Sequence, residues 1–275
     1  MPSLLKDKTE KLFPKISSPH LFAAHSSSQI VWGFFAALIP IWIAGVVAYG
    51  FAAVRVFVLA VGFSCGAQYV FGKRTWIQLG GAAFAGGLLA LLLPAQIPWQ
   101  GVALGSLISS LMGQVAFGGL GQNIFHPALV GYAALFLLAP DWFSNRASES
   151  LGTTSIFAVV FSSLFLLFKK WIAWRTPFFY LLALGVFSSF FGRSFISELF
   201  NGSIFLAAFF FMTDPVTAPM TSRGRAGFAI ATAFLTAMLR FWAEPLPAAL
   251  CSVFFLNGFV PLLDRWTQPK LKMAS

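Results

Sequence analysis

Long, unbroken apolar segments are the feature that most restricts what this chain can fold into. Runs such as Ile204–Phe211 carry no charge, and similar runs recur along the whole sequence with short polar segments between them. Of the 275 residues, 58% are hydrophobic and 9% are charged, whereas a soluble domain carries about a quarter charged residues. Because the runs are continuous rather than alternating, they indicate helices and not barrel strands. The sequence therefore predicts an all-α polytopic membrane protein.

The apolar segments predict about ten transmembrane helices within one domain that extends from residue 30 to residue 265. The predicted spans are residues 30–50, 52–72, 76–94, 99–117, 124–139, 154–171, 177–191, 196–212, 226–242 and 245–263. A basic arm at 1–29 precedes the domain and a tail at 266–275 follows it. The arm has no apolar segment followed by a cleavage pattern, so no signal peptide is expected.

The basic residues predict an orientation in the membrane. With the N-terminus in the cytoplasm, 14 of the 18 Lys and Arg residues fall on the inner side, and the other four, on the outer side, are Arg55, Arg146, Arg193 and Arg240. Both termini are thus expected in the cytoplasm of a bacterial cell, with the domain in its inner membrane. The net charge of +10 does not indicate nucleic-acid binding, because the cations are spread between apolar segments rather than gathered on one surface.

The third predicted span is rich in glycine, at positions 80, 81, 86 and 87, so we expect it at the centre of the bundle. It ends in two prolines four residues apart, Pro94 and Pro98, and Pro215 and Pro219 repeat that spacing after the eighth span. These features predict two five-helix halves, about 30–140 and 150–265. An odd number of helices in each half gives the two halves opposite orientations, as in inverted-repeat transporters.

Cys65 and Cys251 are the only cysteines, and both fall inside predicted spans. Their spacing suits neither zinc nor an iron–sulfur cluster, so no metal site is expected. We expect both thiols to be buried and structural.

The segment Phe211–Arg225 breaks the apolar pattern most abruptly and marks the first candidate site. Asp214 directly precedes Pro215, which cannot continue a helix regularly. Broken backbone at membrane depth persists only beside protein or water, so a polar pocket is expected here. Its predicted lining is Thr213, Asp214 and Thr217, because an acid at this depth is a functional candidate. Arg223 or Arg225 suits a ligand phosphate or a contact with a neighbouring subunit, and the alternative is that both are simple topology anchors.

The segment Phe117–Tyr132 is the second candidate, and it contains three glycines within four residues. Such a backbone can adopt positive φ and approach a ligand closely. Gln122 and Asn123 add amide groups, and Pro127 suits the first turn of the fifth span. His126 has no second histidine within a helical turn, so a structural role is favoured over metal or haem ligation.

Five stretches together resemble one family, which comprises the D-type subunit of the Rnf electron-transport complex and the B-type subunit of the sodium-translocating NADH:quinone reductase. They are the residues 18–21 (SPHL), 87–94 (GLLALLLP), 117–132 (FGGLGQNIFHPALVGY), 211–219 (FMTDPVTAP) and 257–269 (NGFVPLLDRWTQP). The resemblance implies ten helices in a fold similar to urea channels. It also implies flavin, FMN or riboflavin, and partners that include membrane, flavin and iron–sulfur subunits, with a quinone as a further candidate.

One departure from the family concerns the flavin. Family members usually attach FMN through a phosphoester to the threonine of an Asp-x-x-Ser-Gly-Ala-Thr loop on the outer face, and residues 141–154 contain no such motif. Thr153 and Thr154 are the nearest candidates, and they are better interpreted as the start of the sixth span. Any flavin is therefore expected to be non-covalent, held by Gln122, Asn123, Pro127, Thr213, Asp214, Thr217, Arg223 and Arg225.

Two other functions remain open from the sequence. The urea-channel-like fold and the scarcity of ionisable groups in the spans permit a channel or transporter for a small neutral solute. A third possibility is a scaffold subunit that holds redox partners together and has lost its own cofactor. In none of these is catalysis expected from this chain alone.

Overall fold

The computed structural model describes residues 26–143 and 150–268. The predicted N-terminal arm, apart from residues 26–29, lies outside these ranges, as does most of the predicted tail. Within them, the regular elements are helices, and extended residues pair only in an isolated bridge between Pro94 and Ser150. The helices are α1 Ser27–Ala37, α2 Ile39–Tyr49, α3 Phe51–Phe71, α4 Trp76–Leu92, α5 Trp99–Ser110, α6 Pro127–Leu138, α7 Ile156–Phe168, α8 Arg175–Phe190, α9 Phe195–Leu199, α10 Gly202–Leu206, α11 Ser222–Leu239, α12 Pro245–Asn257 and α13 Val260–Thr267.

The all-α polytopic architecture predicted from the apolar segments is confirmed. Within the described ranges, two segments are long and apolar enough to cross a membrane: α1 with α2, taken together, and α3. The bent pair of α12 and α13 makes a third if it counts as one span. Every other predicted span also contains a helix, but these helices are shorter or less apolar, so the total of ten crossings stays a prediction.

Helix α4 lies at the centre of the bundle, as its glycines predicted. Every residue from Gly80 to Leu92 is buried. A Cβ at Gly86 would lie 2.7 Å from the backbone oxygen of Ala60 on α3, so this glycine lets the two helices approach closely. The remaining core is mainly leucine and phenylalanine, and it includes the fully buried Phe210 and Phe211 at the end of the predicted eighth span.

The predicted eighth span is broken rather than continuous. Helix α9 ends at Leu199, and the Asn201 side chain then accepts a hydrogen bond from Ser203 N, which starts α10 as a new helix. Helix α10 continues as a π-helical turn, Ala207–Phe211. Ten residues of helix are about 15 Å long, half the thickness of a bilayer core, so this segment ends inside the bundle.

The predicted tenth span is broken as well. Helix α12 ends at Asn257, and α13 leaves at an angle of 57°. Gly258 and Pro261 stand at and just after this bend, which explains the change of direction.

The burial predicted for both cysteines is wrong for Cys251. Its side chain is exposed on the outside of the bundle, whereas Cys65 is half-buried and its thiol donates to Leu79 O at 3.8 Å. Both cysteines lie in apolar segments of the sequence, but only the packing of α12 decides which of its faces turns outward.

Three of the four arginines predicted on the outer side are tied to neighbouring groups. Arg55 donates to the carbonyl oxygens of Ala95 and Ile97 at 3.4 and 3.0 Å. Arg193 and Arg240 flank the buried carboxylate of Glu198, at 3.6 and 3.2 Å. The fourth, Arg146, lies outside the described residues.

Candidate functional site

The side chain of Asp214 closes the turn that follows α10 and its π-helical extension. Asp214 is buried, and its Oδ2 accepts hydrogen bonds from the backbone N and the hydroxyl of Thr217, at 3.0 and 2.9 Å. Its carbonyl oxygen accepts from Ala218 N at 3.0 Å. Just before it, the Thr213 hydroxyl donates to Phe209 O and satisfies a carbonyl that the π-helical turn leaves free. Pro215 therefore changes the direction of the chain, while the Asp214 carboxylate keeps two hydrogen-bond donors.

Asp214 faces a cavity of about 390 Å³ between this turn and the segment that connects α7 to α8. This volume lies within the range of small-molecule sites. The lining residues are Lys170, Trp171, Ile172, Ala173, Thr176, Thr213, Asp214, Pro215, Ala218, Met220 and Arg225. Charged, hydroxyl and apolar groups thus share one concave surface.

Trp171 anchors the wall that is formed by the connection between α7 and α8. Its indole ring packs over Gly33 of α1, where a Cβ would lie only 2.1 Å from the ring, and it stacks at 6.5 Å on Phe34. The preceding Lys170 adopts a left-handed conformation with φ 57°, which turns the chain into the cavity wall. Only long-range packing forms this wall, and a single sequence does not display such packing.

The electrostatics of the cavity favour an anion. Arg225 lies in the first turn of α11, and its Nε donates to Pro219 O at 2.8 Å. A cation at the N-terminal end of a helix adds to the positive end of the helix dipole instead of offsetting it. With Lys170 on the opposite wall, two cations face the single acid Asp214. A ligand phosphate or carboxylate would relieve this excess of positive charge.

The two predicted candidate segments meet next to this cavity. The His126 ring contacts Phe211 at 4.9 Å and Phe84 at 5.9 Å, both edge to face. Its Nδ1 accepts a hydrogen bond from Ala128 N at 3.2 Å and caps α6, with Pro127 as the first helical residue. His126 thus has a structural role in this geometry, and no cluster of metal-ligating side chains occurs among the residues described.

The predicted site residues divide into three groups. Thr213, Asp214 and Arg225 line the cavity, and Thr217 is buried behind Asp214, which it positions. Arg223 is exposed and outside the lining. The residues of the glycine-rich loop, Gln122, Asn123 and Pro127, are also outside it.

The glycine-rich loop instead rests on two glutamines. Gly118, Gly119 and Gly121 have φ of 98°, 115° and 95°, the conformations expected for this segment. Gln78 Oε1 accepts from Leu120 N at 2.7 Å and from Gln114 Nε2 at 3.2 Å. Both glutamines are isolated polar residues within apolar spans, and that isolation is the signal by which the sequence could have indicated them.

Buried amide groups border the same loop. Asn123 donates to Phe125 O at 3.1 Å, but its Oδ1 has no hydrogen-bond partner in the described part of the chain. Within the same ranges, the side chain of Asn257, at the end of α12, has no partner for either its oxygen or its nitrogen. Phe125 stacks on Phe254 at 4.6 Å, which packs the loop against α12.

Thr153 and Thr154, the nearest candidates for covalent flavin attachment, lie outside this cavity. Leu151–Thr153 form a 3-10 turn, and α7 begins only at Ile156, so the prediction that these residues start the sixth span is wrong. Thr153 donates to Ser150 O at 2.9 Å, and Thr154 donates to Leu151 O at 2.7 Å. Gly152 packs this turn closely against α4, since a Cβ there would lie 2.9 Å from Leu91 O.

Fold and cavity together define a polytopic helical membrane protein with a cationic polar site beneath a broken helix. The chain matches the family described as "NQR2, RnfD, RnfE family" over residues 15–148 and 140–272. It therefore belongs to that family, as the sequence motifs had indicated.

Its relatives match over nearly their full length. The D-type subunit of the proton-translocating ferredoxin:NAD(+) oxidoreductase complex of Clostridium ljungdahlii is 30% identical over 94% of this chain and 96% of its own. The D-type subunit of the Na(+)-translocating ferredoxin:NAD(+) oxidoreductase complex of Acetobacterium woodii is 28% identical over 93% of each chain. The D-type subunit of the ion-translocating oxidoreductase complex of Methanosarcina acetivorans is 29% identical over 92% of this chain and 94% of its own.

Proposed function

We propose that this chain is the D-type membrane subunit of an ion-translocating ferredoxin:NAD(+) oxidoreductase complex. The observation that carries the proposal is the match, over more than nine-tenths of each chain, to relatives that are named as such subunits. Its partners are then the other membrane subunits and the flavin and iron–sulfur subunits of the complex. The orientation with both termini in the cytoplasm belongs to the same proposal.

We further propose that the cavity beside Asp214 binds FMN or riboflavin without a covalent bond. The residues present fit such a molecule, because cations, hydroxyl groups and an indole ring border one space of about 390 Å³. When bound, the flavin supplies one- and two-electron transfer, which no side chain here provides. The protein supplies burial, orientation and charge.

Each lining residue then has a distinct part. Lys170 and Arg225 attract the phosphate of FMN from opposite walls. The hydroxyl of Thr176 and the carboxylate of Asp214 offer hydrogen bonds to the ring system. Thr217 is a positioning residue, because it holds the Asp214 carboxylate through two hydrogen bonds and does not line the cavity.

The turn that holds Thr153 and Thr154, on the predicted outer face, favours non-covalent flavin binding. The hydroxyl groups of Thr153 and Thr154 each donate to a backbone carbonyl within a tight turn, and this turn lacks the sequence of a flavin attachment loop. The alignment with the Clostridium ljungdahlii relative extends over 318 positions, more than the 275 residues of this chain, so that relative contains segments without a counterpart here. A lost attachment loop is consistent with this difference.

The proposal is tested by purifying the tagged chain from cells that also express the neighbouring subunits. We expect co-purification of flavin and iron–sulfur subunits, with ferredoxin-dependent NAD(+) reduction in the assembled complex. Arg225→Gln should lower the flavin content of the chain, because it removes a cavity cation, whereas the matched variant Arg223→Gln alters an exposed arginine and should not. Purification of a chain without redox partners would contradict complex membership and favour a solute channel.

A further inference from the structure

A second polar cavity, of about 300 Å³, lies on the predicted outer side of the bundle, where α10 and α12 begin. We call it the α10–α12 cavity, and the polar side chains that line it belong to Thr153, Asn201, Ser203 and Glu244. Its volume is at the lower end of the range for small-molecule sites. It shares no lining residue with the cavity beside Asp214, so the two cavities are separate sites.

Ser203 contributes an unpaired hydroxyl to the α10–α12 cavity. The residue is 8% exposed, and its backbone N donates to Asn201 Oδ1, but its hydroxyl forms no hydrogen bond with the described part of the chain. Unlike the enclosed hydroxyls of Ser106 and Ser109, the Ser203 hydroxyl keeps some accessible surface. A molecule in the cavity can therefore reach it, and a nearly buried hydroxyl without a partner is stabilised when one binds.

Glu244 gives the cavity a negative charge that forms no ion pair with the described residues. It is the N-cap residue of α12, yet its carboxylate accepts no hydrogen bond from that helix. Pro245 and Pro247 occupy the first turn and have no N–H groups to donate. The carboxylate thus remains a free acceptor, and a ligand with a positive charge and N–H donors would bind it best.

The neighbouring cluster of Glu198, Arg193 and Arg240 carries the opposite charge. One acid and two arginines leave this cluster with a net charge of +1. Arg240 donates to Ala243 O at 3.0 Å, one residue before Glu244, and the side chain of Arg193 is 25% exposed. An unpaired acid therefore lies beside an excess of positive charge. A ligand that carries both a cationic and an anionic group would find a partner of opposite sign for each.

Exposed aromatic residues indicate that the cavity lies at the boundary between lipid and water. Phe200 lines the cavity, Phe241 and Trp242 precede Glu244 by three and two residues, and all three rings are exposed. Aromatic side chains of this kind gather at the level of the lipid headgroups, and tryptophan does so most clearly. A molecule with two opposite charges at this depth is a zwitterionic phospholipid.

We propose that the α10–α12 cavity binds the headgroup of an aminophospholipid, whose primary ammonium group donates hydrogen bonds to Glu244 and Ser203. The phosphate of the same headgroup then lies toward Arg193 and Arg240. Phosphatidylcholine has the same two charges, but its quaternary nitrogen has no N–H group and cannot form these hydrogen bonds. The cavity should therefore distinguish the two lipids. This site is independent of the flavin cavity.

The test uses the full chain in its complex, in nanodiscs that contain photoreactive phosphatidylethanolamine and phosphatidylcholine in equal amounts and with the same acyl chains. We expect the ethanolamine lipid to label residues 200–203 and 241–246 in excess over the choline lipid, as quantified by mass spectrometry. Glu244→Gln should lower this excess about 2- to 5-fold, the worth of a partly exposed ion pair. The matched variant Asp141→Asn alters another exposed acid of the predicted outer side, outside the cavity, and should leave the excess unchanged.

A second variant and a soluble competitor keep the result decisive. Ser203→Ala removes a hydroxyl that has no partner within the described chain, so it should lower the preference for the ethanolamine lipid without lowering the unfolding temperature. Equal labelling by the two lipids, with no effect of Glu244→Gln, would overturn the proposal. Protection from labelling by soluble phosphoethanolamine, at concentrations as low as those of the lipid, would assign the cavity to a water-soluble amine and would also overturn it.

Discussion

At the scale of single residues, Thr217 controls the position of the acid in the cavity. Its hydroxyl donates to Asp214 Oδ2 at 2.9 Å, and hydrogen bonds to a charged group contribute about 1.5–3 kcal/mol. We predict that Thr217→Val lowers the stability of the chain by a similar amount and reduces flavin retention, because the carboxylate loses one of its two donors. Thr217→Ser keeps the hydroxyl and should behave as the natural chain. Thermal unfolding in detergent, with flavin content measured alongside, distinguishes the two variants, and equal behaviour would contradict this role.

Glu198 is the residue that pairs with two of the arginines predicted on the outer side. It is 4% exposed and lies within 3.6 Å of Arg193 and 3.2 Å of Arg240. Removing one partner of a buried ion pair typically costs about 3–5 kcal/mol, because the remaining charges are left uncompensated. Glu198→Gln should therefore lower the unfolding temperature strongly, whereas Glu244→Gln, at an exposed glutamate, should change it little. Similar unfolding temperatures for both variants would rule out a structural role for this cluster.

At the scale of elements, glycines set how closely the central helices pack. A Cβ at Gly131 on α6 would lie 2.5 Å from Gly105 O on α5. This oxygen belongs to the backbone, so it cannot move aside as a flexible side chain could. We predict that Gly131→Val costs about 1–3 kcal/mol or prevents folding, since it forces α5 and α6 apart. Gly62→Ala on α3, where a Cβ meets nothing within 4 Å, should be neutral or slightly stabilising. Expression level and melting temperature in detergent measure both, and a harmless Gly131→Val would show that α5 and α6 are not in close contact.

The elements themselves were largely predictable from the sequence, and their irregularities were not. Hydropathy located the predicted third span at 76–94 and the helix is Trp76–Leu92, because a long apolar run that ends at a proline is visible in the composition of many residues. The break at Asn201 was missed, because an asparagine cap in an apolar run is a local event that hydropathy averages away. The end of α12 at Asn257 was missed for the same reason.

The candidate site was predictable only in part. Asp214 stood out as an acid beside a proline at membrane depth, and it does line a cavity. Its opposite wall, with Lys170 and Trp171, comes from a segment about 40 residues earlier in the chain, and only the packing of Trp171 over Gly33 brings it there. Contacts of this kind depend on three-dimensional complementarity, which periodicity and composition do not encode.

At the scale of the whole molecule, charge placement predicts orientation. The predicted inner side carries 14 of the 18 Lys and Arg residues, and three of the four arginines predicted on the outer side are tied to carbonyl oxygens or to Glu198. We predict that green fluorescent protein fused to the C-terminus fluoresces, because it remains in the cytoplasm, while alkaline phosphatase at the same position is inactive. The reciprocal result, active phosphatase and a dark fluorescent protein, would place the C-terminus outside and contradict the assigned topology.

The most direct test of the account is the fate of flavin when the purified complex is denatured. The chain is co-expressed with its neighbouring subunits and a flavin transferase, and it is then separated by denaturing electrophoresis while the supernatant is examined by absorbance spectroscopy. We predict that flavin appears in the supernatant and that the band of this chain shows no fluorescence, because the proposed site beside Asp214 would hold the flavin without a covalent bond. Fluorescence that stays with the polypeptide would contradict this and point to Thr153 or Thr154 as the attachment site. Flavin in neither fraction would contradict the redox role and favour a channel or a scaffold.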